Sequence, residues 1–198
     1  MCIDLESGLK IGAFTVSILL FIKGIYEYTK AQKWKKAEFV SKEIKEFYND
    51  FDIKRALILL DWNTNELDLR PNEIDGIVKF YFTDELILSS LQTHRESSGF
   101  SGEEVVIKSV FDSLFDRLVM FNSYIETGLI KVKDIKPYLI YWIQILADTE
   151  NDRKPEQVRT QIWKYIDEYG YGKIGEFCSK FGFKNNRINK RKRKMPNA

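Results

Sequence analysis

Along most of this chain apolar residues recur at three- and four-residue steps, but residues 11–22 are apolar or small in every direction and are closed off by Lys10 and Lys23. A helix of that composition has no polar face to offer water, so it predicts a segment enclosed by apolar material on all sides. Twelve residues rise about 18 Å, less than the roughly 30 Å hydrocarbon core of a bilayer. A window over residues 7–26 rises about 30 Å, and its two lysines lie close enough to the ends for their ammonium groups to reach the headgroups. Leu9, Ile11, Phe14, Val16, Ile18, Leu19, Leu20, Phe21, Ile22 and Ile25 carry its apolar surface, at about −0.3 to −0.6 kcal/mol of insertion free energy each. A transmembrane helix is the expectation. A cleaved signal peptide would have a basic leader, whereas Asp4 and Glu6 precede this run and no small-x-small site follows. An interfacial helix would show a polar face, and a helix buried in a soluble core is the third competitor.

Downstream the helical step takes over. Trp34, Ala37, Val40, Ile44, Phe47 and Phe51 form one stripe, with lysines and glutamates opposite, which predicts that the first helix runs on and packs this stripe against a domain. Asp52, or Asn49 or Asp50, suits a cap for a short helix over residues 53–62, which Asn63, Thr64 and Asn65 end. Residues 66–69 and 76–82 read as two extended segments around a turn at residues 70–73, a small hairpin. Thr83 opens another helix toward Leu91. Ser101 and Glu104 have capping-box spacing at the head of a long periodic run through Val106, Val110, Leu114, Leu118, Phe121 and Ile125, with Gly128 as its stop. Three more helices follow: one opened by Asp134 with Pro137 in its first turn, one from about Asp152 to Gly170, and a short one over residues 173–181. The expected fold class is mainly α: an N-terminal transmembrane helix continuing into a cytoplasmic helical bundle, with one small β-hairpin. The domains implied are an anchor over residues 1–28, a helical body over 29–183 and a tail over 184–198.

Charge refines that picture. The formal total is +2, while Lys184, Arg187, Lys190, Arg191, Lys192, Arg193 and Lys194 alone carry +7, so residues 1–183 sum to −5. Such a tail can hold an anionic leaflet or, less selectively, nucleic acid, and a solubilising end is the plain alternative. Only Lys10 lies between the acidic start and the apolar run, while Lys23, Lys30, Lys33, Lys35 and Lys36 follow it. By the positive-inside rule the body faces the cytoplasm of a plasma (inner) membrane. Cys2 and Cys178 are the only cysteines and belong to no close-spaced motif, so no disulfide is expected.

Candidate chemistry is sparse. Asp61, Asn63 and Asn65 begin like a calcium loop, but Glu66 stands where the turn wants glycine and Asn72 where a bidentate glutamate is required. Glu73, Asp75 and Lys79 have the look of the acidic strand of a metal nuclease without its second element. Asp112 and Asp116 lie one turn apart without a Glu-x-x-His partner, and a solvated face accounts for them. His94 is the sole histidine and has no nucleophile motif beside it. No phosphate loop of the form Gly-x-x-x-x-Gly-Lys-Ser/Thr is present. Tyr138, Tyr141, Trp142, Trp163, Tyr165, Tyr169 and Tyr171 sit at helical spacing, which is the pattern of core and rim.

The runs Gln32-Lys33-Trp34-Lys35-Lys36-Ala37-Glu38-Phe39 and Leu60-Asp61-Trp62-Asn63 come first, then Phe111-Asp112 with Phe115-Asp116, Pro137-Tyr138-Leu139 with Tyr141-Trp142, and Tyr169-Gly170-Tyr171. In that order the chain resembles a group of bacterial proteins with one N-terminal span and a helical cytoplasmic body. The resemblance implies topology and carries over no functional residue. The function expected is that of a single-pass membrane-anchored protein with a helical interaction domain, a membrane and a protein as partners, and no cofactor, metal or small-molecule substrate. The alternatives are a metal-dependent hydrolase or nuclease using Asp61, Glu73, Asp75, Asp112 or Asp116, and a degenerate calcium-binding helical protein.

Overall fold

The computed structural model describes residues 5–183; the basic tail therefore lies outside the described residues. They form seven helices and one antiparallel hairpin, as the periodicity predicts. The chain divides into two units at Lys42 and Glu43, and α1 (Leu5–Asn49) crosses that division as one helix.

In the first unit α1 is exposed over nearly its whole length. Of the stripe expected to pack along residues 34–51, Val40, Ile44 and Phe47 are buried, whereas Trp34 is 70% exposed and Ala37 and Phe51 are exposed as well. Packing therefore begins later than the spacing alone suggests. Among the described residues no helix is long and apolar enough to cross a membrane. The expected span is to that extent unmet, because charged Lys10 and Lys23 confine the uninterrupted apolar run to about 18 Å.

The second unit begins with the end of α1. Asp50 leaves the helical conformation (φ −62°, ψ 131°) and its carboxylate accepts the amides of Asp52 and Ile53 at 2.8 and 3.1 Å. This side-chain cap closes α1 and starts α2 (Phe51–Asp61), so Phe51 opens a new helix instead of ending the old stripe. Strands β1 (Thr64–Asp68) and β2 (Lys79–Thr83) pair from Thr64↔Thr83 to Asp68↔Lys79. Two-residue periodicity puts Leu67 and Phe82 inward, and both are fully buried. Between the strands Ile74 bridges Ile77 around Gly76, whose φ of 72° suits glycine. That tight turn is why β2 starts three residues later than expected.

Helix α3 (Asp84–Ser90) is capped by Thr83, whose hydroxyl accepts the Leu86 amide. Helix α4 (Gly102–Glu126) carries the expected capping box: Glu104 donates its amide to Ser101 Oγ, and Ser101 donates its own to Glu104 Oε2 at 2.8 Å. Helix α5 (Val132–Ala147) starts two residues before Asp134, because that carboxylate reaches back to accept the Lys131 amide at 2.8 Å. Pro137 consequently falls in the second turn. Helix α6 (Glu156–Glu168) starts about four residues later than expected, with Pro155 as its cap, and a short α7 (Lys173–Lys180) follows Gly170. Helix α4 is the axis of the body: α2, α3 and α7 pack on it, α6 packs on α3, and α5 packs on α2 and α7. Phe47, Phe111, Phe115, Phe121 and Phe177 are all buried in this core. Burial also pushes the free thiol of Cys178 up to about 12, so it remains an inert SH group.

Candidate functional site

Two features stand out once the fold is known: the apolar part of α1, and the polar clusters that stitch the body together. In α1 the side chains of Leu9, Phe14, Val16, Ile18, Leu19, Leu20, Phe21, Ile22 and Ile25 are between 43% and 70% exposed. Ile18 to Ile22 are five consecutive exposed apolar residues. At about 100° per residue they cover the full circumference of the helix. An exposed apolar surface of this kind is unusual on a protein that meets only water. Within this segment Ser17 donates its hydroxyl to the Ala13 carbonyl at 2.9 Å, a bond that removes it from the groups needing water.

One polar cluster lies on α4. Asp112 Oδ1 accepts the hydroxyls of Tyr165 at 2.7 Å and Tyr171 at 3.2 Å, which corrects the expectation of a solvated face. Asp116, one turn on, is exposed. Burial raises the Asp112 carboxyl against the pull of its two phenol donors, and burial likewise raises both phenols, which stay protonated. One turn earlier Lys108 Nζ donates to the Gln92 carbonyl at 3.1 Å and lies 4.1, 5.0 and 5.3 Å from the ring centres of Phe100, Tyr169 and Tyr165. His94 is exposed and stands edge-on to Phe100 and Tyr169. The lysine is held as a cation among ring faces, and the carboxylate ties α6 and its following turn to α4. No nucleophile faces His94 in the hydrogen bonds of this cluster.

A carboxyl raised in the folded state binds its proton more tightly there than in the unfolded chain. Its contribution to stability is fully present below the unfolded value of about 3.9 and is lost as pH rises through the folded value. Asp112→Asn keeps an acceptor for both hydroxyls and removes the ionisation. Urea titrations at pH 4, 5.5 and 7 are expected to show the wild type losing ground to this variant as pH rises. Parallel stability curves would contradict the assignment.

Of the remaining candidate carboxylates, Asp61 and Glu73 are taken up in separate ties, and Asp75 is exposed. Asp61 accepts the Tyr141 hydroxyl at 2.5 Å and pairs with Arg153 at 3.5 Å, and the loop after it runs into β1 instead of turning round an ion. Glu73 grips the buried Arg55 with both oxygens, at 2.7 and 2.8 Å, while Asp52 pairs with Arg55 and, at 2.7 Å, with Arg70. Among the described residues no group of three or more histidine, cysteine, aspartate or glutamate side chains could hold a metal ion. Lys154, 1% exposed, donates to Asp84 at 2.6 Å and to the Trp62 carbonyl, so it joins the loop before α6 to the start of α3 and the end of α2. Burial lowers its pKa. Spacing had no means of singling out Lys154 or Arg55, because Lys154 gains Asp84 from 70 residues away and Arg55, beside its neighbour Asp52, gains Glu73 from 18. Of the aromatic set, Trp163 and Tyr165 are buried, Trp142, Tyr169 and Tyr171 are half-buried, and Tyr138 and Tyr141 are exposed.

No protein-family model, curated protein or solved structure matches the chain. The reading of its role therefore rests on the geometry above.

Proposed function

We propose that this chain is a single-pass protein of the plasma (inner) membrane, anchored by α1, whose helical body faces the cytoplasm and docks a protein partner without catalysing a reaction. The observation that carries the reading is the run of exposed apolar side chains from Ile18 to Ile22, which covers every direction round the helix. A bilayer is the environment that satisfies such a surface, since the backbone of a helix is hydrogen-bonded within itself. Crossing requires the window over residues 7–26, with the Lys10 and Lys23 ammonium groups drawn out to the headgroups. The lysines that follow the apolar run outnumber the single one before it, and this favours retention of the body on the cytoplasmic side. The carboxylates of Asp61, Glu73 and Asp112 are engaged in ties within the body, an arrangement suited to a rigid scaffold. Trp62, Tyr138 and Tyr141 remain exposed as the kind of aromatic surface that interfaces use.

Alkaline carbonate extraction of membranes from cells expressing the full chain tests the anchor. The protein is expected to stay with the lipid pellet, and protease added to the cytoplasmic side is expected to digest the body. Quantitative release into the carbonate supernatant would overturn the reading.

A further inference from the structure

We propose that α1 carries, just beyond its apolar segment, a cationic collar that selects an anionic bilayer surface; the inference rests on the membrane reading above. Residues 28–37 contain Lys30, Lys33, Lys35 and Lys36 and no acidic residue. The nearest acid on the apolar side, Glu27, pairs with Lys23 at 3.8 Å. Lys30, Lys33 and Lys35 are exposed, and so are Tyr26 and Tyr28 just before them and Trp34 among them. At about 100° per residue Lys30 and Lys33 lie roughly 60° apart on one side of the helix, and Lys35 lies roughly 140° or more from each, on the other side. Positive charge therefore stands on two opposite sides of the helix and is not confined to one face, an arrangement that a helix rising out of a charged plane can use.

The distances fit a headgroup layer. If hydrocarbon ends near Tyr26, a rise of about 1.5 Å per residue puts Lys30, Lys33 and Lys35 roughly 6, 10 and 14 Å beyond it. The headgroup region is about 5–7 Å deep on each side, and the Debye length at physiological salt is about 8 Å. All three ammonium groups thus stand within the negative potential of an anionic leaflet, where each basic residue adds measurably to binding. Tyr26 and Tyr28 lie at the depth where amphipathic rings collect. Charge complementarity points to phosphate-bearing lipid headgroups of net negative charge as the partner of this stretch, with zwitterionic lipid as the disfavoured alternative.

The test offers the full chain, synthesised in a cell-free system, equal amounts of two vesicle populations, one of phosphatidylcholine and one with 30 mol% phosphatidylglycerol, which are separated by flotation. The wild type is expected to favour the anionic population by roughly tenfold at low salt, and less at high salt. Lys30→Gln/Lys33→Gln/Lys35→Gln, with the C-terminal tail intact, is expected to lose several-fold of that preference while still floating. Equal distribution of the wild type overturns the collar and leaves the anchor standing. A preference unchanged in the triple variant also overturns it, since the selectivity would then arise elsewhere in the chain. Failure to float with either population, with the chain recovered as a self-associated species, overturns the membrane reading and the collar with it.

Discussion

Lys154→Ala is expected to destabilise the body by about 3–5 kcal/mol, the usual cost of removing one member of a buried ion pair. Lys154 is 1% exposed, and its partner Asp84 is only 13% exposed, so water cannot replace the lost ammonium. The Trp62 carbonyl at the end of α2 also loses its donor. Three elements are released at once: the loop before α6, the first turn of α3 and the C-terminus of α2. For a unit of this size a loss of that magnitude lowers Tm by roughly 10 °C or more, which a thermal melt followed by circular dichroism reads directly. Lys154→Met fills the space but still strands Asp84, so it should recover only part of the loss. The pair Lys154→Met/Asp84→Asn removes both charges and should recover more than either change alone. A Tm for Lys154→Ala within a degree or two of wild type would show that this tie does not hold the body together.

The second large effect concerns location and not stability. Val16 and Leu19 lie near the middle of the window over residues 7–26, and both are exposed. Each change to aspartate replaces a favourable term of a few tenths of a kcal/mol with a cost of about 2.5–3.5 kcal/mol at the centre of a bilayer. Two such changes exceed the roughly 3–6 kcal/mol that the ten apolar residues of the window supply together. Val16→Asp/Leu19→Asp is therefore expected to move the protein from the carbonate-resistant pellet to the soluble fraction. The melt of the body should stay where it was, because neither side chain belongs to its core. Retention of the double variant in the pellet would mean that something other than this helix holds the chain to lipid.

Much of the architecture could be read from residue order, because helices are specified by short-range features. The Ser101–Glu104 capping box and the apolar period through Phe121 lie within a few residues of the groups they organise, and α4 forms where they place it. Gly128 and Gly170 both take positive φ at helix ends, as punctuation of that kind does. Boundaries were harder where a side chain acts on backbone outside the periodic run. Asp50 divides what reads as one stripe into α1 and α2, and Asp134 draws the start of α5 back to Val132. The hairpin is legible as two extended segments, but its register waits on the turn at Gly76.

The polar clusters were the least legible part. Asp112 stands among exposed-looking positions when it is judged by its own helix, and it is half-buried because Tyr165 and Tyr171 arrive from elements more than fifty residues downstream. Arg55 and Lys154 become internal only where Glu73 and Asp84, distant in the chain, close on them. Residue order alone determined the helical class, the caps of α3 and α4 and the all-round apolar segment of α1, since each is a property of neighbours along one helix and its solvation. The tertiary structure decided which charged groups are internal, where the α1 stripe becomes buried, and that Asp61, Glu73 and Asp112 each go to a different tie. Those outcomes depend on which distant side chain arrives to replace water around a charge, and local spacing carries no information about that.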